Sequence, residues 1–260
     1  MARIFQKFGL ALAVALFSVG QAGAHEPMSF TLGRLEATPA CGGKCAEFIV
    51  AKGEIGFNSV IKYLGARGLS GDRNLPIILE SPGGYIGAAQ ILARVWRLQG
   101  ATVIVARAQP TCALAGGSLI CNPLDRGDGV RTFALEAAGD CASACIILLA
   151  SGVLRLATPK ARLGVHQIRF DKNSDAIRFA EALGTSEKEV QRSSMDSYAA
   201  ALSGYGVDPI LGERAWQTPS SSVDWFNREV AKGYRLVNAT TRDLADHPAL
   251  AEILSHLEHR

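Results

Sequence analysis

The sequence lacks the features that would assign it at once to a nucleic-acid-binding, membrane-spanning or disordered class. No stripe of basic residues alternates with aromatic ones and the formal charge is only +3, so we expect no nucleic-acid partner. Beyond the N-terminus the apolar run that stands out is 146–150, whereas a helix needs about 20 residues to cross a bilayer. No repeat or low-complexity tract is present, and 48% of the residues are hydrophobic, which excludes a disordered or collagen-like chain.

The N-terminus has the pattern of a secretory signal peptide. Two basic residues, Arg3 and Lys7, precede an apolar stretch over 8–19, and small residues lead to Ala24. An uncleaved membrane anchor is the alternative, but about a dozen apolar residues are few for a bilayer span. We therefore predict a signal peptide over 1–24 and a single domain over 25–260, exported to the periplasm or secreted.

The predicted export determines which chemistry we expect of the six cysteines. An even number of cysteines in an oxidising compartment predicts disulfide bonds. The candidates are Cys41, Cys45, Cys112, Cys121, Cys141 and Cys145. If Cys141 and Cys145 lie on one helix, their spacing rarely suits a disulfide, so we expect each to pair with the 41–45 or 112–121 segment. A zinc site of these cysteines and a histidine is the alternative, but the C-x2-C spacing is absent, and we predict no metal or other cofactor.

Strand and helix patterns alternate along the chain, which predicts an α/β fold. An apolar strand over 75–79 leads through Ser81-Pro82-Gly83-Gly84 into an amphipathic helix over 85–98 and another apolar strand over 102–106. This succession is a βαβ unit. The core extends over about 46–237. The segment 107–139, rich in Gly, Pro and polar residues and containing two cysteines, is predicted to be an insertion without regular structure, stapled by a disulfide.

Further elements follow from periodicity and capping residues. Strands are predicted over 48–51, 54–55, 163–166 and 234–237. Helices are predicted over 59–66, 141–151 with Asp140 as N-cap, 174–202 with a break near Gly184, 224–232 and 248–256.

Three short stretches combine the residue types needed for nucleophilic catalysis. The two glycines of Ser81-Pro82-Gly83-Gly84 leave amides exposed at a helix start, where they suit a developing oxyanion, although an ordinary turn has the same pattern. Ser143 lies between two alanines in an apolar run, and a serine bonded to its own helix is the alternative. His166 is the one histidine inside apolar core sequence, where a hydrogen-bonded core histidine is the alternative. Because a serine nucleophile needs a base and oxyanion donors, and all three stretches are predicted to end on the same edge of one sheet, together they favour a hydrolase site.

The sequence resembles a known family in these stretches. The order of 79–84, then Ala142-Ser143-Ala144, then 162–167 is similar to the proteolytic subunit of Clp protease and its relatives of the ClpP/crotonase fold. The likeness covers about 55–237 and is greatest for exported ClpP-like proteins in which cysteines bracket the serine. It implies a single domain of repeated ββα/βαβ units.

The resemblance also implies roles for individual residues. Ser143 corresponds to the nucleophile, His166 to its general base, and the backbone amides of Gly84 and Ala144 to the oxyanion hole. The family's aspartate would fall near Thr218, where this sequence has no carboxylate. The Thr218 hydroxyl or a backbone carbonyl is then the candidate for orienting His166.

Two aspartates, Asp208 and Asp224, flank the position of the missing carboxylate without matching it. An orienting carboxylate can contribute about four orders of magnitude to turnover. The sequence therefore leaves two functions open: an exported ClpP-like serine hydrolase cutting peptides or unfolded segments through an acyl-enzyme, or an inactive protein of the same fold that serves as a binding or scaffold module.

Other chemistries of the fold fit this sequence less well. Crotonase-type acyl-CoA chemistry is disfavoured by export, and no particular lysine is indicated for a serine–lysine peptidase. Related assemblies form rings, so the resemblance implies a possible homo-oligomer, in which the helices over 85–98 and 174–202 could form an interface.

Overall fold

The computed structural model describes residues 26–37, 41, 45–71, 73–115, 118–121, 124–125, 129–168, 182, 184–239 and 247–258. The predicted signal peptide over 1–24 and the start of the helix predicted from 174 lie outside these residues. Within the described ranges, every helix is too short or too polar to cross a membrane.

The described residues form a mixed α/β structure. Its strands are β1 Ser29–Leu35, β2 Glu47–Lys52, β3 Ile77–Glu80, β4 Thr102–Val105, β5 Arg107–Pro110, β6 Cys112–Ala115, β7 Ser118–Cys121, β8 Leu124–Asp125, β9 Val130–Glu136, β10 Ala138–Ala142, β11 Leu154–Ala157, β12 Lys160–Val165 and β13 Asp224–Phe226. Its helices are α1 Ser59–Leu69, α2 Ile86–Leu98, α3 Cys145–Ser151, α4 Glu187–Gly204, α5 Ile210–Gln217, α6 Arg228–Gly233 and α7 Pro248–Glu258.

A mixed sheet of eight strands organises the fold, in the order β11-β4-β3-β2-β1-β9-β5 with β8 also paired to β9. Strands β2, β3, β4 and β11 are mutually parallel neighbours. The predicted βαβ unit is confirmed, because α2 connects the parallel strands β3 and β4. The apolar strands are buried on both faces, as neighbouring residues of β3 show: Ile77 and Leu79 belong to one hydrophobic cluster and Ile78 to the other.

A second sheet of three strands, in the order β10-β12-β13, lies beside the first. Strands β10 and β12 are parallel, and β13 is antiparallel to β12. The bridge between Ser81 and Cys141 connects the end of β3 with β10. The fully buried helix α3 follows β10 and packs against α2. The carboxyl ends of β3, β10 and β12 therefore meet, although the prediction that all three belong to one sheet is wrong.

The segment 107–139 is not the irregular insertion that its composition predicts. Strands β5 to β9 lie in it, and β9 pairs with β1, β5 and β8. The reason is the alternation within β9, where Phe133 and Leu135 are buried and their neighbours are more exposed. Strands β5, β8 and β9 therefore extend the main sheet, while β6 and β7 pair with each other as a separate two-stranded sheet.

The helix predicted over 141–151 begins four residues later, at Cys145. Residues 138–142 pair with β12 instead, so Asp140 is a strand residue and not an N-cap. Its carboxylate forms an ion pair with Arg162 at 2.6 Å. The turn between β10 and α3 consequently contains Ser143.

Two predictions near the end of the core are also wrong. The helix predicted over 224–232 is divided into β13 and α6, because the Asn227 side chain accepts the Val230 N–H and caps a new helix. Residues 234–237 form no strand, since the N–H groups of Leu236 and Val237 donate to the Ala231 carbonyl. The predicted break near Gly184 is confirmed: α4 starts beyond it, with Ser186 and Glu189 forming a capping box.

A buried arginine connects the ends of three helices. The Arg155 guanidinium donates to the carbonyls of Ala150 in α3, Tyr205 after α4 and Arg235 after α6, at 2.8–2.9 Å. Burial, with a smaller contribution from Arg97, lowers the pKa of Arg155 to about 10, so the group is cationic at neutral pH. A cation is favourable at helix C-termini, where carbonyl groups carry partial negative charge.

We expect Arg155→Met to lower the free energy of unfolding by about 3 kcal/mol, because three buried carbonyls lose a charged donor. Denaturant unfolding measures this change. Arg228→Met is the matched control, since the partner of Arg228 among the described residues is the exposed Glu229, and its effect should stay within about 0.5 kcal/mol. Equal effects of the two substitutions would contradict the role of Arg155.

Candidate active site

The turn after β3 depends on two glycines. Gly83 and Gly84 have φ angles of 111° and 134°, which disfavour any residue with a side chain. A Cβ at Gly84 would overlap the backbone of Ile55, and one at Gly83 would lie 2.7 Å from the Cβ of Ser143. The Ser81 Oγ accepts the Gly83 N–H at 3.1 Å and closes the turn. The glycine backbone therefore lies directly against Ser143.

This packing leaves two amide donors beside the serine. The Ile55 N–H donates to the Gly83 carbonyl, and the Tyr85 N–H donates to the Ile55 carbonyl. Since successive groups alternate along an extended chain, the Gly84 N–H faces away from Ile55. Within the part of the chain that the structure describes, neither the Gly84 nor the Ala144 N–H donates a hydrogen bond. Both remain available to an acceptor.

Ser143 occupies a left-handed conformation between β10 and α3, with a φ angle of 57°. Its N–H donates to the Gly164 carbonyl at 2.9 Å. Its carbonyl accepts from the Ile146 N–H at 3.0 Å and from the Tyr198 hydroxyl at 3.4 Å. Burial raises the pKa of Tyr198, which keeps that hydroxyl protonated as a donor. The Ser143 side chain itself is half-buried.

His166 follows β12 at the same end of the small sheet. Ala142 is paired with Gly164 in the parallel register, so Ser143 and His166 come one and two residues after a matched pair on neighbouring strands. The His166 Nδ1 lies 2.6 Å from the Gln167 carbonyl oxygen. Because a carbonyl can only accept, the Nδ1 carries the proton, and the Nε2 is left unprotonated as a base in the neutral ring.

Thr218 contacts the residue after His166 through its backbone. The Thr218 carbonyl accepts the Gln167 N–H at 2.8 Å, and the Trp216 carbonyl accepts the Gln167 side-chain amide at 2.6 Å. The Thr218 hydroxyl donates to the Arg214 carbonyl at 2.9 Å. Thr218 therefore holds the Gln167 backbone, whose carbonyl contacts His166.

The two aspartates noted in the sequence lie in different surroundings. The Asp208 carboxylate accepts the Ile210 N–H at 3.0 Å, at the start of α5. Asp224 is paired with Val165, the residue before His166. Both Asp224 oxygens accept from the Arg214 guanidinium, and these hydrogen bonds hold the pKa of Asp224 below its ordinary value. Asp224 is thus a carboxylate near the strand end whose charge is balanced by Arg214.

The disulfide pairing differs from the expectation for Cys141 and Cys145. These two cysteines are bonded to each other, with Cα atoms 5.3 Å apart. The expectation assumed one helix, but Cys141 lies in β10 and Cys145 begins α3, and the turn between them brings the Cα atoms within disulfide range. A second disulfide connects Cys41 and Cys45. Cys112 is also disulfide-bonded, and its backbone is paired with that of Cys121.

One group of potential metal ligands occurs among the described residues. Ligand atoms of Cys41, Cys45 and Glu252 lie within 4.8 Å of one another. The two sulfurs are joined in a disulfide, and the Glu252 carboxylate accepts the Ala46 N–H at 3.2 Å. In this oxidised state the group offers no thiolate to a metal.

Sequence reasoning missed Tyr198, and it named Asp224 without predicting that this residue pairs with Val165 beside His166. Tyr198 lies in a mostly polar helix, and only its complete burial singles it out. Asp224 is separated from Val165 by about sixty residues, and their pairing depends on an antiparallel strand that was predicted to be a helix.

No protein-family model matches the chain, and no curated protein matches it either.

Proposed function

We propose that this chain is an exported, ClpP-like serine hydrolase that cleaves peptides or unfolded segments through an acyl-enzyme. One observation carries the proposal: Ser143 sits in a left-handed strand-to-helix turn, against Gly83 and beside the strand end that leads to His166. A serine on such a sharp turn presents its Oγ away from the backbone. The parallel strands with intervening helices support the ClpP/crotonase fold as part of the same proposal.

In the proposed mechanism, each group that acyl transfer needs has a candidate among the residues of this site. The Ser143 Oγ attacks the substrate carbonyl carbon while the His166 Nε2 takes its proton. The amides of Gly84 and Ala144 donate to the oxyanion that forms on the carbonyl oxygen. The imidazolium then gives its proton to the leaving amine as the C–N bond breaks. Water, deprotonated by the same histidine, attacks the ester carbon; the imidazolium then returns the proton to the Ser143 Oγ as the ester C–O bond breaks and the acid product leaves.

In this mechanism the Gln167 carbonyl performs the orienting role. By accepting the Nδ1 proton at 2.6 Å it selects the tautomer in which Nε2 is the base. The Thr218 carbonyl keeps the Gln167 backbone in place. A neutral carbonyl stabilises the imidazolium less than a carboxylate does, so we expect slower turnover than in a complete triad.

Exposed aromatic rings near the turns favour a substrate with apolar side chains. Tyr85 directly follows Gly84, and its ring lies 4.3 Å from that of Phe57, which is 74% exposed. On the small sheet, the partly exposed Trp225 is paired with Gly164, whose carbonyl holds Ser143. Aromatic surfaces of this kind bury large areas against apolar groups. Segments of unfolded proteins expose such apolar side chains.

A second candidate function is the inactive binding or scaffold module. The observation that favours it is the pairing of Asp224 with Arg214, which balances the charge of the carboxylate on the strand next to His166. A serine without an effective base would not react.

Covalent labelling distinguishes the two functions. We expect the mature, oxidised protein to gain the mass of a single fluorophosphonate adduct, and Ser143→Ala to gain none, as measured by intact mass spectrometry. Circular dichroism of both proteins controls for folding. A folded, oxidised protein that gains no adduct would exclude the hydrolase and support the scaffold.

A further inference from the structure

The Cys141–Cys145 disulfide encloses the turn that presents Ser143. Cys141 is the fourth residue of β10 and Cys145 the first of α3, so the covalent ring contains only Ala142, Ser143 and Ala144 between them. Both cysteines are fully buried in the hydrophobic cluster that also contains α2 and α3 residues. A buried disulfide at this place restricts the backbone of the three residues that it encloses.

The enclosed backbone has a conformation that needs support. A φ of 57° at Ser143 brings its Cβ close to the following carbonyl, which residues other than glycine avoid. The sequence over 141–151 has no Gly or Pro before Gly152 and was predicted to be one continuous helix. Local preference and observed backbone therefore disagree at Ser143.

Hydrogen bonds hold several groups of the turn, beginning with the Ala142 N–H, which donates to the Ser81 carbonyl at 3.1 Å. The Ser143 N–H is held by the Gly164 carbonyl, and the Ser143 carbonyl is held by the Tyr198 hydroxyl and by α3 itself. The bond from the Ile146 N–H to the Ser143 carbonyl is also compatible with extending α3 toward β10. The disulfide opposes that extension, because it fixes the spacing of Cys141 and Cys145 across the turn.

We propose that Cys141 and Cys145 are positioning residues, whose disulfide holds Ser143 in the left-handed turn beside the strand end that leads to His166. This inference rests on the proposed function. Without the bond, the turn relaxes toward helical geometry and the serine leaves its reactive position, while the surfaces that bind substrate are unchanged.

The chain provides a matched control in its other short disulfide. Cys41–Cys45 has the same sequence separation of four, so its removal releases the same length of loop in the unfolded state. It lies in the other hydrophobic cluster, on the opposite face of the main sheet from Cys141 and Cys145. Loss of either disulfide therefore affects stability, whereas only loss of Cys141–Cys145 affects the turn that contains Ser143.

The experiment compares Cys141→Ala/Cys145→Ala with Cys41→Ala/Cys45→Ala. We expect the first to lower the maximal rate of fluorophosphonate labelling about 100-fold, as displacement of a reacting group by about 1 Å does, with the half-saturating probe concentration unchanged. The control should label at the wild-type rate. If the first variant does not fold, Cys141→Ala/Cys145→Val, which refills the buried volume, replaces it.

Amide hydrogen exchange tests the inference without measuring activity. We expect faster exchange at the Ser143 amide, whose hydrogen bond to the Gly164 carbonyl is lost when the turn relaxes, in the 141/145 variant and not in the control. Wild-type labelling and exchange in the 141/145 variant, or equal losses in both variants, would overturn the positioning role. If wild type itself fails to label, the proposed function fails, and the exchange data alone decide whether the disulfide holds the turn.

Discussion

Replacing His166 with Gln should slow fluorophosphonate labelling of Ser143 by about four orders of magnitude. A loss of this size is typical when a catalytic histidine is held in the tautomer that cannot accept the serine proton. The glutamine amide can still donate to the Gln167 carbonyl, which in wild type lies 2.6 Å from the His166 Nδ1. It cannot take the proton of the serine hydroxyl, so Ser143 stays a neutral, weak nucleophile. Labelling rates from stopped incubations and intact mass measure the change.

The matched control for this prediction is His247→Gln. His247 is exposed beside the start of α7, whose buried residues belong to the other hydrophobic cluster from those of β10 and β12, so its replacement should leave the labelling rate unchanged. Both variants should unfold at the wild-type denaturant concentration, because His166 is only half-buried. If His166→Gln labels within about tenfold of wild type, general-base catalysis by this histidine is contradicted.

The part of the fold that could be predicted from sequence consists of elements that local residue patterns determine. The apolar run before Ser81, the Pro-Gly-Gly turn and the periodic helix each identify one element, and together they define the unit β3-α2-β4. Gly84 was identifiable for the same reason, since two glycines after a buried strand mark a backbone that no other residue adopts easily.

The rest depended on contacts between distant segments. Residues 138–142 became a strand because β12 pairs with them, which overrides the helical preference of the run that follows. The left-handed φ of Ser143 has no local signal, because serine rarely adopts it without tertiary support. The three stretches were correctly expected near one another, but two sheets bring them together instead of one.

Replacing Gly84 with Ala should remove the oxyanion donor and lower the maximal labelling rate by about 10²- to 10³-fold, the cost of losing one such donor. The new Cβ would overlap the Ile55 backbone at a φ of 134°, so the turn must shift and carry the Gly84 N–H away from Ser143. We expect the half-saturating probe concentration to stay unchanged, because the donor acts on charge that develops during the reaction.

Gly206→Ala separates this effect from backbone strain. Gly206 also has a positive φ, 81°, but a Cβ there meets nothing within 4 Å. That variant should lose about 1 kcal/mol of unfolding free energy through strain alone and keep the wild-type labelling rate. Gly84→Ala should lose stability as well, so labelling is compared at a temperature where both variants are folded. A folded Gly84→Ala protein that labels at the wild-type rate would place the oxyanion donors elsewhere, and Ala144 would then need a partner other than Gly84.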